Sequence, residues 1–276
     1  MKSNLITFGC SFTKFDWPTY ADFLSIYYDN YTNYGKAGSG NRAIFHKVIQ
    51  YLDSKKDFSQ DQVVIQWSSC AREDKYDSHS NQEYLCAGNI TNNPFYGREY
   101  IDNHFSFQQN LVETTDYIKT VKDLLTYHNI SYIMTFMLDI RIGPHLGEPG
   151  FNSNYQYVPE VELKKCEPVF NKLTHLVDNK FTSTCISMHQ LDSSEEVYCY
   201  SPKEQLNPDS HPSPRQHYNF MKKYILPNLE YLTLKETPSL LKILEDWNNF
   251  AKVRKNLEDK IDKIPSTWPS KTAVTF

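Results

Sequence analysis

What this 276-residue chain lacks narrows its role before any motif does. It has no block of basic residues: 29 Lys and Arg are outnumbered by 33 Asp and Glu, for a formal net charge of −4. Gripping a nucleic-acid backbone calls for clustered cations, so no nucleic-acid partner is expected. No stretch approaches the ~20 apolar residues of a membrane-spanning helix. The opening residues, MKSNLITFGCSF, carry one Lys and an apolar run broken by Thr and Gly. That is the pattern of a strand and not of a signal-peptide core, so a cytoplasmic protein without a membrane partner is expected. The six cysteines, Cys10, Cys70, Cys86, Cys166, Cys185 and Cys199, form no CxxC pair. A zinc knuckle and a dense disulfide framework are both disfavoured, and reduced thiols are expected. His79, His104 and His145 fall in loops without ligand spacing, so no metal and no other cofactor is expected.

Aromatic residues are plentiful, with 20 Tyr and 16 Phe, enough to fill a sizeable core. Apolar runs of strand length alternate with helix-period stretches. Strands are expected at 5–9, 31–35, 63–69, 130–138 and 184–188. Of these, VVIQWSS at 63–69 is the strongest, a continuous β-rich run suited to a strand covered on both faces. Helices are expected at 18–28, 41–54, 107–128, about 160–180 and about 214–232, the last kinked or split at Pro227. Alternation of this kind predicts an α/β fold, a parallel sheet with helices on both faces. Ligands of such sheets sit beyond the carboxyl ends of the strands. Polar stretches at 71–105 and 139–158 read as insertions into a main domain spanning 1–235.

Residues 236–276 form a separate extension. Leu240, Ile243, Trp247, Phe250, Val253, Leu257, Ile261 and Ile264 recur there at helical steps, which predicts one long amphipathic helix over 239–264. Such a stripe serves either as a strap across the main domain or, as the second reading, for self-association or docking.

Chemistry concentrates at the two ends of the main domain. LITFGCSFT places Ser11 at the tip of the first expected strand, and PDSHPSPRQH places Asp209 and His211 before the last helix. A serine hydroxyl needs a base to take its proton, and the base needs a partner to fix its tautomer. Ser11, His211 and Asp209 are those residue types. Alone, Ser11 would be read as a small capping residue at a turn. Cys10 is the rival nucleophile, although neighbouring side chains on a strand diverge. The Gly-rich NYGKAGSGN at 33–41 leads into a helix and offers backbone N–H groups to an anion, without being a Walker A loop. His217 is expected on a helix face and not as a second base. Asp139 with Arg141, and Arg72 with Glu73, follow strand ends, where ion pairs compete with pocket roles.

GCSFT, GKAGSGN and the late DSHPS together resemble the SGNH, or GDSL-like, hydrolases. The resemblance implies a three-layer flavodoxin-like sheet over about residues 4 to 232 and a serine esterase or lipase activity. It assigns the nucleophile to Ser11, an oxyanion N–H to Gly38, and the acid–base pair to Asp209 and His211. Three departures stand out. Cys10 replaces the usual Asp of the first motif. WSSCARED at 67–74 lacks the Asn of the third, leaving the hydroxyl of Ser68 or Ser69, or the charge of Arg72, as a substitute at the oxyanion. Asp209-x-His211 is shorter than the usual Asp-x-x-His. Asn41 and Arg72 are the expected substrate contacts. The expectation is an ester hydrolase acting on an acyl group, an O-acetyl carbohydrate among the candidates. The alternative is a catalytically silent binding or structural protein of the same fold, such as a phage virion component.

Overall fold

The computed structural model describes residues 2–77, 83–90, 96, 98–137, 165–176, 211–229, 232 and 238–254. The elements in chain order begin with β1 (Asn4–Phe8), α1 (Tyr20–Ser25), β2 (Asn30–Asn33), α2 (Asn41–Ser54) and β3 (Asp61–Trp67). A hairpin follows, β4 (Arg72–Asp77) and β5 (Glu83–Asn89), then α3 (Arg98–Asn103), α4 (Phe107–Tyr127) and β6 (Ser131–Phe136). The described chain closes with α5 (Glu167–Leu176), α6 (Pro214–Phe220) and α7 (Pro238–Arg254).

Four strands make one parallel sheet in the order β2-β1-β3-β6, flanked by helices. Burial follows position in the sheet. All of β3 is buried, as its uninterrupted apolar run requires of a central strand. The polar β2, NYTN, is a half-exposed edge. Ile6 of β1 pairs with Val63, and Val63 with Tyr132 of β6, so the apolar centres of three strands stack in register.

The helices follow their periodicity. In α2, Ile44, Val48 and Leu52 turn inward from one face. In α4, Leu111, Ile118, Val121 and Leu125 do the same, each side chain contributing about 1.5–3 kcal/mol by leaving water. Ser106 caps α4 by accepting the Gln109 N–H at 3.2 Å, and Asn129, at φ 54°, turns the chain out of the helix towards β6. α1 starts at Tyr20 and not at Pro18, because Thr19 holds the extended N-cap position.

Two expectations are refined. The third strand ends at Trp67 and not at residue 69, because Asn41 takes over the Ser68 backbone: its Oδ1 accepts the N–H at 2.6 Å and its Nδ2 donates to the carbonyl at 3.0 Å. The polar stretch at 71–105 carries regular structure, with β4 and β5 pairing antiparallel and α3 following them in the chain. After α6 the helix widens to a π turn over Met221–Ile225 and tightens to a 3-10 turn over Leu226–Asn228, accommodating Pro227. In α7, Leu240 and Leu244 join the main core, and Trp247 packs on Trp17 beside Phe15 and Ile243. The expected strand at 184–188, the stretch 139–158 and the remainder of the tail helix beyond 254 lie outside the described residues. Among the described residues no helix is long and apolar enough to cross a membrane.

Candidate active site

β1 delivers the chain to Gly9-Cys10-Ser11 at the carboxyl edge of the sheet. Here the backbone folds into a tight turn, with the N–H groups of Thr13 and Lys14 both donating to the Cys10 carbonyl at 2.9 and 3.1 Å. Ser11 thus sits in a turn, ahead of α1, and caps no helix. Its side chain is 3% exposed, and its Oγ lies 2.7 Å from His211 Nε2 across 200 positions of sequence. That is the contact a hydroxyl nucleophile and its base must make.

His211 is positioned from three directions. On the C-terminal side, Ser213 caps α6: its Oγ accepts the Gln216 N–H at 3.2 Å, and the Gln216 side chain accepts the Ser213 N–H at 2.7 Å. Pro214 opens the helix at its first turn, so the segment HPSP is fixed by capping chemistry. The Phe15 ring stacks on the imidazole, centroids 4.1 Å apart and planes 14° from parallel. Trp17 packs edge-on against Phe15 and donates its indole N–H to the Pro212 carbonyl at 3.0 Å. Trp247 of α7 buries Trp17 from behind. The aromatic run Phe12, Phe15, Trp17 lies immediately after the nucleophile in sequence, a signal that the motif pattern does not weigh. Asp209 lies outside the described residues.

The second loop behaves differently from a ready anion site. Gly40 is the N-cap of α2 and has no side chain to offer. Asp74 reaches over from β4 and caps the helix in its place, its carboxylate accepting the N–H groups of Gly40 at 2.8 Å and Ala43 at 2.9 Å. The negative charge favoured at this helix end is therefore the protein's own. A Cβ on Gly40 would lie 2.7 Å from Asp74 Oδ2, which is why the cap position is glycine. Gly38, at φ 79°, is the other demanding position. Its carbonyl accepts the Gly88 N–H of β5 at 3.1 Å. Among the described residues, neither the Gly38 N–H nor the Ser11 N–H has an acceptor.

The remaining expected residues divide by role. Ser68 is fully buried, and its Oγ has no hydrogen-bond partner among the described residues. Asn41, expected at the substrate, is 4% exposed, and its amide is committed to the Ser68 backbone and to Thr114 Oγ1 at 3.0 Å. Arg72 donates to the Ser39 carbonyl at 2.9 Å and so braces the second loop. Glu73 accepts a bond from Tyr100 in place of an ion pair with Arg72. Cys10 is fully buried, its sulfur 3.3 Å from Met137 Sδ and part of the hydrophobic core. Among the described residues no group of His, Cys, Asp and Glu is arranged to hold a metal ion.

His217 is 1% exposed on α6, and burial, with the charge of His211 second, lowers its pKa from 6.5 to about 3. It stays neutral at ordinary pH and sits on the buried face of α6. Between those two values the unfolded chain binds a proton that the folded chain refuses, so stability falls as pH drops through that window. His217→Leu is expected to flatten that fall, read as thermal midpoints of both proteins from neutral pH down to about pH 4. For Asp74→Ala the expected loss is about 1–2 kcal/mol in denaturant titration, with turnover falling alongside because the Gly38 loop loosens. Unchanged stability would show that Asp74 does not hold the helix end.

No family model matches the chain, and no curated protein matches it significantly. Solved structures do match. A member of the lipolytic protein G-D-S-L family from Veillonella parvula superposes with a TM-score of 0.45 at 11% identity, covering 83% of this chain and all (100%) of that one. A GDSL-like lipase from Bacteroides thetaiotaomicron gives 0.41 at 13% identity, over 83% of this chain and 89% of that chain. An acetyl xylan esterase from Geobacillus stearothermophilus gives 0.40 at 11% identity, over 86% and 99%. At such distances the functional reading is carried by the residues of the site itself.

Proposed function

We propose that the chain is a serine ester hydrolase. The observation that carries this reading is the 2.7 Å contact between Ser11 Oγ and His211 Nε2. Ser11 attacks the ester carbonyl while His211 takes its proton, and the protonated imidazole then gives that proton to the departing alcohol. Water, activated by the same histidine, releases the acid from the acyl-enzyme and restores the serine. The oxyanion is held by the N–H groups of Ser11 and Gly38, with the buried Ser68 hydroxyl as a third donor in place of the absent asparagine. Asp209 is assigned the role of orienting the imidazole. Small O-acyl groups on carbohydrate are the preferred substrates, a reading supported by the aromatic rings around the second loop.

A fluorophosphonate probe tests the reading directly. It is expected to form one adduct per chain, recovered on the peptide that contains Ser11. A protein that hydrolyses no acetyl ester and takes up no probe would be the silent binding protein instead.

A further inference from the structure

The segment that follows Ser11 places a ring flat against the imidazole of His211, and the way it is held makes that ring more than filling. Just past the turn at Cys10, the Thr13 carbonyl is pinned twice. It accepts the Thr19 hydroxyl at 2.7 Å and the Asn33 side-chain amide at 2.8 Å. Further on, the buried Trp17 is tied through its indole N–H to the Pro212 carbonyl at 3.0 Å. Phe15 thus lies between two anchored neighbours, one of them bonded to the residue that follows His211. Its place over the imidazole is set by hydrogen bonds on both sides and not by two loose rings meeting.

Two phenyl rings meet the imidazole, and they meet it differently. Phe12 is tilted, its plane 60° from that of His211 at a centroid distance of 5.3 Å. Phe15 lies flat, at 14° and 4.1 Å. A flat stack covers the face of the imidazole and leaves free its edge, where both nitrogens lie. Nε2 therefore keeps its 2.7 Å contact with Ser11 Oγ. An aliphatic side chain could fill the same space but has no π face. The face of a phenyl ring carries partial negative charge and attracts a cation lying within about 6 Å of its centre. Neutral imidazole gains little from that charge, and imidazolium gains more.

We propose that Phe15 is a positioning residue for ester hydrolysis, its π face steadying the imidazolium that His211 becomes as Ser11 attacks. The proposal rests on the ester-hydrolase reading and deepens it. The attraction is complete only once the proton has passed from Ser11 Oγ to Nε2, while the serine oxygen bonds to the carbonyl carbon. Attack by water on the acyl-enzyme forms the same imidazolium, so both halves of the reaction draw on the ring. An interaction that strengthens towards the transition state raises kcat and leaves ground-state binding alone. A ring that only packed would show in Tm and not in kcat. A ring that lined the substrate pocket would show in KM.

The test measures kcat and KM for p-nitrophenyl acetate separately, at a temperature below the Tm of every variant. Phe15→Leu keeps an apolar side chain and loses the ring; kcat is expected to fall about tenfold, with KM within about twofold of the parent. Phe15→Tyr restores a flat face and is expected to bring kcat back to within about twofold. Phe45→Leu breaks a comparable stack between α2 and α4, where Phe45 lies 4.7 Å and 18° from Tyr117, and leaves kcat unchanged. Undiminished kcat in Phe15→Leu, a loss confined to KM, or an equal loss in Phe15→Tyr overturns the role of the ring. None of those outcomes touches labelling of Ser11 by the fluorophosphonate probe. A parent protein that neither takes up the probe nor turns over the ester overturns both readings together.

Discussion

Ser11→Ala is expected to lower kcat for p-nitrophenyl acetate by about 10⁴-fold or more while the protein remains folded. The argument is geometric. The Ser11 Oγ lies 2.7 Å from His211 Nε2, and the adjacent thiol of Cys10 is shut into the core against Met137 and is not placed to substitute for it. Removing one oxygen from a turn residue deletes little packing. His211→Ala should cost a similar factor. The double variant should cost no more than either single one, because nucleophile and base act as a unit. Retention of wild-type turnover within about tenfold in Ser11→Ala would falsify the assignment of the nucleophile.

The second large effect is expected at Gly9, and it falls on stability as well as rate. A Cβ there would lie 2.0 Å from Thr13 Oγ1, 2.9 Å from Thr13 Cβ and 3.1 Å from the Gln66 carbonyl. Thr13 cannot retreat: it is fully buried, and its hydroxyl sits 3.1 Å from Tyr20 OH and 3.2 Å from Gln66 Oε1. Gly9→Ala should therefore cost about 1–3 kcal/mol or more through overpacking, seen as a drop of several degrees in Tm. Relief of the clash must push the Ser11 turn off the sheet edge. A displacement of about 1 Å at a reacting atom is worth up to about 10² in rate, so kcat/KM should fall even at temperatures where the variant is folded. A variant with native Tm and native kcat/KM would show that the turn is slack.

The contrast between these residues shows where sequence is readable. The parallel sheet was legible because β1, β3 and β6 are buried on both faces, and burial on both faces leaves a continuous apolar run. α2 was legible to the residue, since one face of a 3.6-residue period carries Ile44, Val48 and Leu52. The hairpin β4–β5 was not legible as strands, because RED and KYD are polar and its pairing is held by the main chain more than by apolar alternation. Within the site, Ser11 and His211 were legible as residue types that chemistry demands. Their support was not. That Asp74 caps α2 is a contact over 34 positions between a hairpin and a helix, and no local period encodes it. Asn41 misleads for the opposite reason: a polar residue beside a Gly-rich loop looks available, yet its amide replaces two rungs of the sheet at Ser68.

The stack of rings behind His211 has one more implication. Phe15 and Trp17 come from the first part of the polypeptide, His211 from far downstream, and Trp247 from later still. Translation delivers them in that order. Ser11 thus precedes its imidazole by 200 positions, and the ring stack behind that imidazole takes in a residue from the later helix α7. Pairing of the proposed nucleophile with its base is therefore a property of the folded long-range core and not of either local motif.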